Sequence, residues 1–500
     1  MAGMEVEKKL ITNSFFYVLP KFAGIGINIM TLPILTRILS PQDFGAVAMA
    51  TVFSTFAVGI FSWGLPIAVQ RYFFEYRRDP VRLGRYLFTC QFFLHLVLLV
   101  SSAPIYIFRN AFSTLFIGNP GYGNAFFTFY VSTFFFFILN VYLTTLQNFE
   151  NAKVHSFFTI FHAVVLGGLN VTLSFSFKDY TGLMYASIAS SFGVSALCTL
   201  YFFKYFRNVL SFEMLKESLV YGAQNIPKSF TGFIGRFFDK YLINKVLTLQ
   251  AVGVYNIGQS LGNSSISLLN TIWSSFQPLC YRQVFDQGPK ASRPVGRLFS
   301  YFLFATASPL LLVLLFSSEI VRLLAPPAYQ PAVDVIMIFL CAMSTNIFGM
   351  YVGVQYAYAK KPLYIVLATT MGTLVNVGMN LLLIPRWGLV GASLGALVSY
   401  ATINGLLTVI GQSLYRIHYE WGFVACVYGI IGLSTLAGLL MRATQISYGV
   451  QLCLKICLFG ALIFAGSRWK VATMDTARKI VRLLKPQKGL SPEFRPVSPH

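Results

Sequence analysis

Between residues 126 and 142 the chain reads FFTFYVSTFFFFILNVY, without one charged residue. Runs of this kind recur along the sequence, near the ~20 apolar residues that a helix needs to cross a bilayer's hydrocarbon core. That recurrence is the strongest constraint on the fold. Inside lipid every backbone N–H and C=O must be satisfied internally, and only helices or closed barrels achieve this. These runs are contiguous and do not alternate with polar residues, so helices are expected. Only 11% of the residues are charged and 56% are hydrophobic, against about one-quarter charged in soluble domains. The fold class read from the sequence is an all-α polytopic membrane protein.

The sequence predicts about fourteen spans, at approximately 12–36, 44–70, 84–108, 123–146, 154–176, 182–206, 218–244, 251–279, 297–317, 332–357, 363–384, 388–414, 421–440 and 446–467. Nearly all connections are short, which leaves no sizeable soluble domain. The opening MAGMEVEKKLITNSFF sets basic residues before an apolar stretch, as a signal peptide does. That stretch runs for about 25 residues without a small-residue cleavage site, so it reads as a retained first span.

Lys and Arg number 38 against 16 Asp and Glu, a formal charge of +22. The cations lie between apolar runs and not on one basic soluble domain, so nucleic acid is not an expected partner. With the N-terminus in the cytoplasm, 26 of the 38 fall on the cytoplasmic side. Seven fall on the other side: Arg37, Arg109, Lys178, Lys245, Arg322, Arg386 and Arg442. Five lie within spans: Lys21, Lys228, Arg236, Lys240 and Lys455. This bias places both termini in the cytoplasm. The basic tail, 468–500, is expected to lie on anionic lipid or to remain disordered.

The chain also repeats itself at a period near 207 residues. LPKFAGIG (19–26) recurs as IPKSFTGFIG (226–235), and TRILSPQDFG (36–45) as NKVLTLQAVG (244–253). RYFFE (71–75) recurs as RQVFD (282–286), and TGLMYASIAS (181–190) as WGLVGASLGA (387–396). Asn140 and Gln147 answer to Asn346 and Gln355. Six spans per unit is an even number, so both units enter the membrane in the same direction. The expected domains are two six-helix bundles, 1–206 and 213–415, related by a parallel repeat. Helices 13 and 14 (416–467) and the cytoplasmic tail (468–500) follow. A substrate site between two such bundles is a transporter arrangement.

One span breaks the apolar rule. NIPKSFTGFIGRFFDKYL (225–242) carries Lys228, Arg236, Asp239 and Lys240, and each charge at bilayer depth costs about 2.5–3.5 kcal/mol or more. At 100° per residue, Tyr221, Gln224, Asn225, Lys228, Gly232, Gly235, Arg236, Asp239 and Lys240 share a sector of about 160°. Ile226, Phe230, Phe233, Phe237 and Tyr241 take the opposite side. On the first span Ser14, Tyr17, Lys21 and Asn28 cluster within about 60°. Such helices turn their charges toward a wet cavity and their aromatics toward lipid or neighbours. Lys21, Lys228, Arg236 and Lys240 with Asp239 leave a formal +3, which calls for an anionic ligand; Arg and Lys bind phosphate by charge-assisted hydrogen bonds. Arg71 and Arg282 occupy equivalent places at the ends of spans two and eight, where they gather phosphate or merely follow the cytoplasmic bias.

Three segments, LTRILSPQDFGAVAMA (35–50), DKYLINKVLTLQAVGVYNIGQSL (239–261) and GLVGASLGALVS (388–399), resemble the polysaccharide flippases of the multidrug/oligosaccharidyl-lipid/polysaccharide exporter superfamily. The likeness covers about residues 8–467. It implies a bacterial inner-membrane flippase for a polyprenyl-pyrophosphate-linked oligosaccharide, such as an O-antigen or exopolysaccharide unit, moved by alternating access through a cationic central cavity. Under it the substrate-binding residues are Lys21, Lys228, Arg236 and Lys240, with Tyr17, Asn28, Gln224 and Asn225 beside them and Arg71 and Arg282 at the rim. Asp239 is the candidate for coupling to a proton or sodium gradient; no other cofactor and no metal is expected. The implied partners are the lipid-linked glycan, membrane lipids, a polysaccharide polymerase and glycosyltransferases. Within LSPQDFG, Ser40, Pro41 and Asp43 read as N-cap, N1 and N3 of the second span, a structural motif.

Three other readings compete. A multidrug or organic-cation antiporter of the same superfamily needs buried carboxylates, and the mid-span acids reduce to Asp239, with Asp334 and Glu319 near margins. A membrane polymerase or ligase needs a large catalytic external loop, and no connection is long enough. A non-transporting scaffold for glycan-assembly enzymes would use the basic tail. His155 and His162 lie seven apart without acidic company and read as core or pore lining. The seven cysteines show no CxxC pair and read as inert buried thiols. No GxxxxGK[ST] occurs, so ATP hydrolysis is not expected, and the chain is not read as an enzyme.

Overall fold

Ser40 begins a helix in the way its spacing predicts. Its side chain accepts from the Asp43 N–H at 3.2 Å, and Asp43 Oδ2 accepts from the Ser40 N–H at 2.9 Å, a reciprocal capping box with Pro41 at the first turn. Thr248, its counterpart in the repeat, caps the equivalent helix through the Ala251 N–H at 3.1 Å. Asp79 and Asp179 cap two more. The structure, a computed structural model, describes residues 2–224, 226–444 and 446–471, with the side chains of 2–15, 227–233, 236, 268 and 275 left out of the description.

Among the described residues the chain is helical throughout and has no strand. The first group comprises α1 (Ala2–Ile38), α2 (Pro41–Phe61), α3 (Leu65–Tyr76), α4 (Pro80–Ile107), α5 (Arg109–Phe116), α6 (Gly123–Asn148), α7 (Ala152–Phe177) and α8 (Tyr180–Phe202). Then come α9 (Phe212–Ala223), α10 (Ile226–Val246), α11 (Leu249–Gln287), α12 (Ser292–Leu315), α13 (Ser317–Leu324), α14 (Ala332–Ser344), α15 (Asn346–Ala359) and α16 (Leu363–Leu414). The last two are α17 (Trp421–Ala443) and α18 (Tyr448–Arg468). Helix α16 is two antiparallel arms. Its chain reverses at Gly388, whose φ of 56° and ψ of −129° suit only a residue without Cβ, and Ser399 of one arm donates to the Gly372 carbonyl of the other at 2.7 Å.

Among the described residues, eleven helical stretches are long and apolar enough to cross a membrane; the sequence reading has fourteen spans. The two arms of α16 count once in that number. Two expected spans are also broken. The stretch 44–70 divides into α2 and α3 at Trp63 and Gly64, which adopt positive φ, and 218–244 divides into α9 and α10.

Helices α1, α2, α6, α7 and α8 pack on one another, and α10, α11, α14, α15 and α16 do likewise. Helix α9, which the repeat assigns to the second unit, lies against α3 and α4: Tyr86 Oη and Ser218 Oγ are 3.0 Å apart, and the Ser211 N–H donates to Thr89 at 3.1 Å. The two groups meet mainly where α2 crosses α11 and α10. At the end where α1 passes into α2, that crossing is backbone on backbone. A Cβ on Gly45 would sit 2.0 Å from Leu249 O, and one on Gly253 would sit 1.8 Å from Pro41 O. In the repeat Gly45 corresponds to Gly253 and Pro41 to Leu249, so each contact is the counterpart of the other, as across a two-fold axis.

The same relation governs the hydrogen bonds around it. Thr36 Oγ1 donates to the Leu324 carbonyl, the last of α13, at 2.7 Å. Its counterpart Asn244 donates to the carbonyls of Phe116 and Ile117, at the end of α5, at 3.2 and 2.9 Å. Helices α5 and α13 are each followed by a short 3₁₀ turn, Pro120–Tyr122 and Pro327–Tyr329, a further repeated block. Tyr329 Oη then donates to Leu39 O at 2.9 Å.

Gly253→Val should therefore push α2 from α11 at a strain of about 1–3 kcal/mol. With the native cysteines removed, disulfide formation between cysteines at 36 and 324 should slow several-fold in this variant; an unchanged rate would place the crossing elsewhere.

Candidate functional site

The described side chains of α10 divide into the two sides its sequence predicts. Phe237, on the greasy side, packs edge-on against Phe116 with centroids 5.0 Å apart, and stacks on Tyr241 at 5.4 Å. Gly235 and Asp239, on the polar side, line a cavity of about 160 Å³. Its remaining walls come from α11 (Gln259), α14 (Phe339) and both arms of α16, including Thr373, Asn376, Ser399 and Tyr400.

Asp239 is 4% exposed. Its Oδ1 accepts from Asn380 Nδ2 at 2.6 Å and its Oδ2 from Tyr255 Oη at 3.3 Å. Asn380 also donates to Asn376 Oδ1 at 3.1 Å, so one amide bridges a carboxylate and a second amide. Lys240, 7% exposed, points its Nζ to Gln259 Oε1 at 3.0 Å. The ammonium is held inside the protein and does not reach for the membrane surface.

Of the other residues read from the sequence, Lys21 and Asn28 are exposed on α1. They lie on the flank of that helix, away from the contacts of Phe16 O with Ser156 and of Ile27 with Gly167 that seat it on α7. Tyr17 stands edge-on to His155, centroids 5.2 Å apart. Arg71 is exposed, with its guanidinium 4.6 Å from the Tyr221 ring and 5.2 Å from Tyr72, which joins α3 to α9. Arg282 does not reproduce this: it faces Asp286 of its own helix at 3.8 Å, and both side chains are more than half exposed. The equivalence of Arg71 and Arg282 in sequence is thus not an equivalence of environment. Gln224 is exposed at the end of α9. Asn225, the side chains of Lys228 and Arg236, and the tail from 472 lie outside the described residues. None of Tyr17, Lys21, Asn28, Arg71, Gln224 and Arg282 is part of the cavity wall.

Lys455, the fifth cation within a span, is matched. It is 5% exposed, with Nζ 2.5 Å from Glu319 Oε1. Arg442 pairs with Asp334 at 3.0 Å. Both marginal carboxylates therefore serve helices α17 and α18. His155 and His162 are buried, the first 2.8 Å from Gln147 Nε2 and the second stacked on Phe136. Cys90, Cys198 and Cys280 are buried, but Cys453 and Cys457 lie exposed on α18, contrary to the reading of all seven as buried. Sequence reasoning passed over Tyr255, Gln259, Asn376 and Asn380. A signal was available in VNVGMN (375–380), where two amides four residues apart interrupt an apolar run and so share a helix face.

Solved structures of membrane transporters share this fold. The lipid II flippase MurJ in an inward closed conformation superposes with a TM-score of 0.67 at 12% identity, over 92% of this chain and 99% of that one. An inward-facing multidrug resistance MATE family transporter of the MOP superfamily gives 0.62 at 14%, over 77% and 93%. A MOP superfamily transporter from Pyrococcus furiosus, described by the reverse polarity of its binding pocket, gives 0.57 at 14%, over 80% and 95%. The fold is that of these membrane transporters. A comparison with curated proteins gave no match. Residues 10–281, more than half of the chain, match the family described as Polysaccharide biosynthesis protein, and the protein belongs to that family.

Lys455→Met leaves Glu319 beside α18 without its cation and should cost about 2 kcal/mol or more, whereas Lys455→Met with Glu319→Leu should recover most of it. Thermal unfolding in detergent reads both; equal stability of the single and double variants would remove the pair as a tie.

Proposed function

We propose that the protein is a flippase that moves a polyprenyl-pyrophosphate-linked oligosaccharide across the bacterial inner membrane for surface polysaccharide synthesis. The observation that carries this reading is the buried polar side of α10. In a chain of the polysaccharide biosynthesis family, Asp239 and Lys240 are enclosed by protein and Gly235 and Asp239 face a cavity. The positive bias of the loops sets both termini in the cytoplasm. The end where α2 crosses α11 is then the outer one, and the protein is closed there.

In this mechanism the pyrophosphate enters from the cytoplasmic side and meets Lys21, Lys228 and Arg236, with Arg71 and Arg282 near the rim. The glycan lies between two bundles, 1–206 and 213–415, and reaches the cavity walled by residues of the second, and the polyprenyl chain stays in lipid. Parting of α2 from α11 opens the outer side. An inside-negative potential favours outward passage of an anion by about 2.3 kcal/mol per charge per 100 mV. Asp239 is the coupling residue. Its oxygens accept hydrogen bonds from Tyr255 and Asn380, and binding a proton or a sodium ion there changes the charge of the site. An organic-cation antiporter is less well supported, since Glu319 and Asp334 are already engaged by Lys455 and Arg442.

Translocation of undecaprenyl-pyrophosphate oligosaccharide into vesicles holding the purified protein tests the reading. Lys228→Ala and Arg236→Ala should each abolish transport with insertion intact, and full transport by the double variant would refute the assignment. Asp239→Asn should keep carrier binding yet lose the dependence of transport on pH or sodium. If that dependence persists unchanged, coupling does not run through this carboxylate.

A further inference from the structure

The cavity beside α10 has a chemistry of its own. Its volume of about 160 Å³ is close to that of an engineered cavity of about 150 Å³ that takes up benzene, so one six-membered ring fits. Unlike in that cavity, five of the ten described lining residues, Gln259, Thr373, Asn376, Ser399 and Tyr400, carry neutral hydrogen-bonding groups. Thr373 Oγ1 donates to Thr369 O at 3.0 Å and Ser399 Oγ to Gly372 O at 2.7 Å. Both hydroxyls have committed their proton within the helices and retain lone pairs as acceptors. Asn376 takes its bond from Asn380 on Oδ1, which leaves its amide N–H groups as donors toward the cavity wall it forms. Phe339 and Tyr400 meet there edge to face, centroids 6.4 Å apart and planes at 86°. Acceptors, donors and an aromatic corner around one ring-sized space are what a pyranose requires, since it offers hydroxyls around its edge and C–H groups on its faces.

An anion suits this space poorly, because the carboxylate of Asp239 is part of the wall. Lys240 is directed at the wall residue Gln259 and Arg236 follows the wall residue Gly235 directly in sequence, so a pyrophosphate would sit beside this cavity and not in it. We propose that the cavity is a sugar subsite, which takes the pyranose attached directly to the pyrophosphate of the lipid-linked substrate. This rests on the flippase reading for the carrier, but not for the sugar contacts themselves. Thr373, Asn376, Ser399 and Tyr400 are then the groups that select the first sugar.

The full-length protein in lipid nanodiscs can be titrated with undecaprenyl pyrophosphate and with the same carrier bearing one glucose, galactose or N-acetylglucosamine. At least one sugar should tighten binding about tenfold over the bare carrier, the yield of two or three hydrogen bonds. In Thr373→Val with Tyr400→Phe, which removes hydroxyls with little change of shape, that gain should fall below about twofold while the bare carrier binds as before. A gain that survives the double variant, or no gain from any sugar, would overturn the subsite. Equal weakening of bare and glycosylated carriers would also overturn it, since that marks a structural role. Saturation-transfer NMR with the three methyl glycosides reads the subsite without carrier. Glycoside binding that the double variant loses, in protein indifferent to undecaprenyl pyrophosphate, would sink the flippase reading and leave the subsite standing.

Discussion

The crossing of α2 over α11 is the contact on which the arrangement of the two helical groups depends. Lipid gives apolar helices no hydrophobic reason to leave it, so association relies on close packing and hydrogen bonds. Gly45 and Gly253 let two backbones touch where any side chain would stand about 2 Å from a carbonyl oxygen. Around that point Thr36 and Asn244 each reach the terminal carbonyls of a short helix from the other half of the chain. Those carbonyls belong to helix ends, whose last C=O groups lack partners within the helix. One crossing thereby brings two backbones together and satisfies helix termini on both sides.

Closure at this end determines what α10 meets. Between the α2 crossing and α16, the helix buries Asp239 and Lys240 at the cost in desolvation that any charge in a membrane interior carries. Each of the two has a neutral partner supplied from a distance in sequence: Asn380 lies on α16, Tyr255 and Gln259 on α11. Lys455 is matched directly by Glu319. Around Asp239 an amide and a phenol, Asn380 and Tyr255, hydrogen-bond the carboxylate.

What could be read from the sequence was whatever is local or periodic. The Ser40 capping box spans four residues and carries its own geometry. The two sides of α10 follow from 100° per residue alone, and Gly235, Asp239 and Phe237 face as that angle requires. Long-range partners were not legible. Asn380 finds Asp239 only because α16 packs on α10, and nothing near either residue states that pairing. The role of Leu324 and Ile117 was invisible for a simpler reason: they contribute carbonyls, which every residue has. Arg71 and Arg282 show the opposite failure. Their matching motifs, RYFFE and RQVFD, are alike in sequence, but α9 brings Tyr221 to the first while the second meets its own Asp286.

The placement of α9 bears on how such a molecule can open. If opening parts α2 from α11, α9 stays with α3 and α4 while α10 travels with α16. The strain of the motion then falls where α9 ends at Ala223 and α10 begins at Ile226, inside the span whose polar side carries the site. Opening the end where α2 crosses α11 releases the hydrogen bonds of Thr36, Asn244 and Tyr329, each contributing about 0.5–1.5 kcal/mol, together with the glycine contacts. A total of a few kcal/mol is within what a ligand's differential affinity for two states can supply. A clasp built from longer interlocking side chains would exceed it, and glycines at the crossing keep the two states close enough in free energy for a substrate to choose between them.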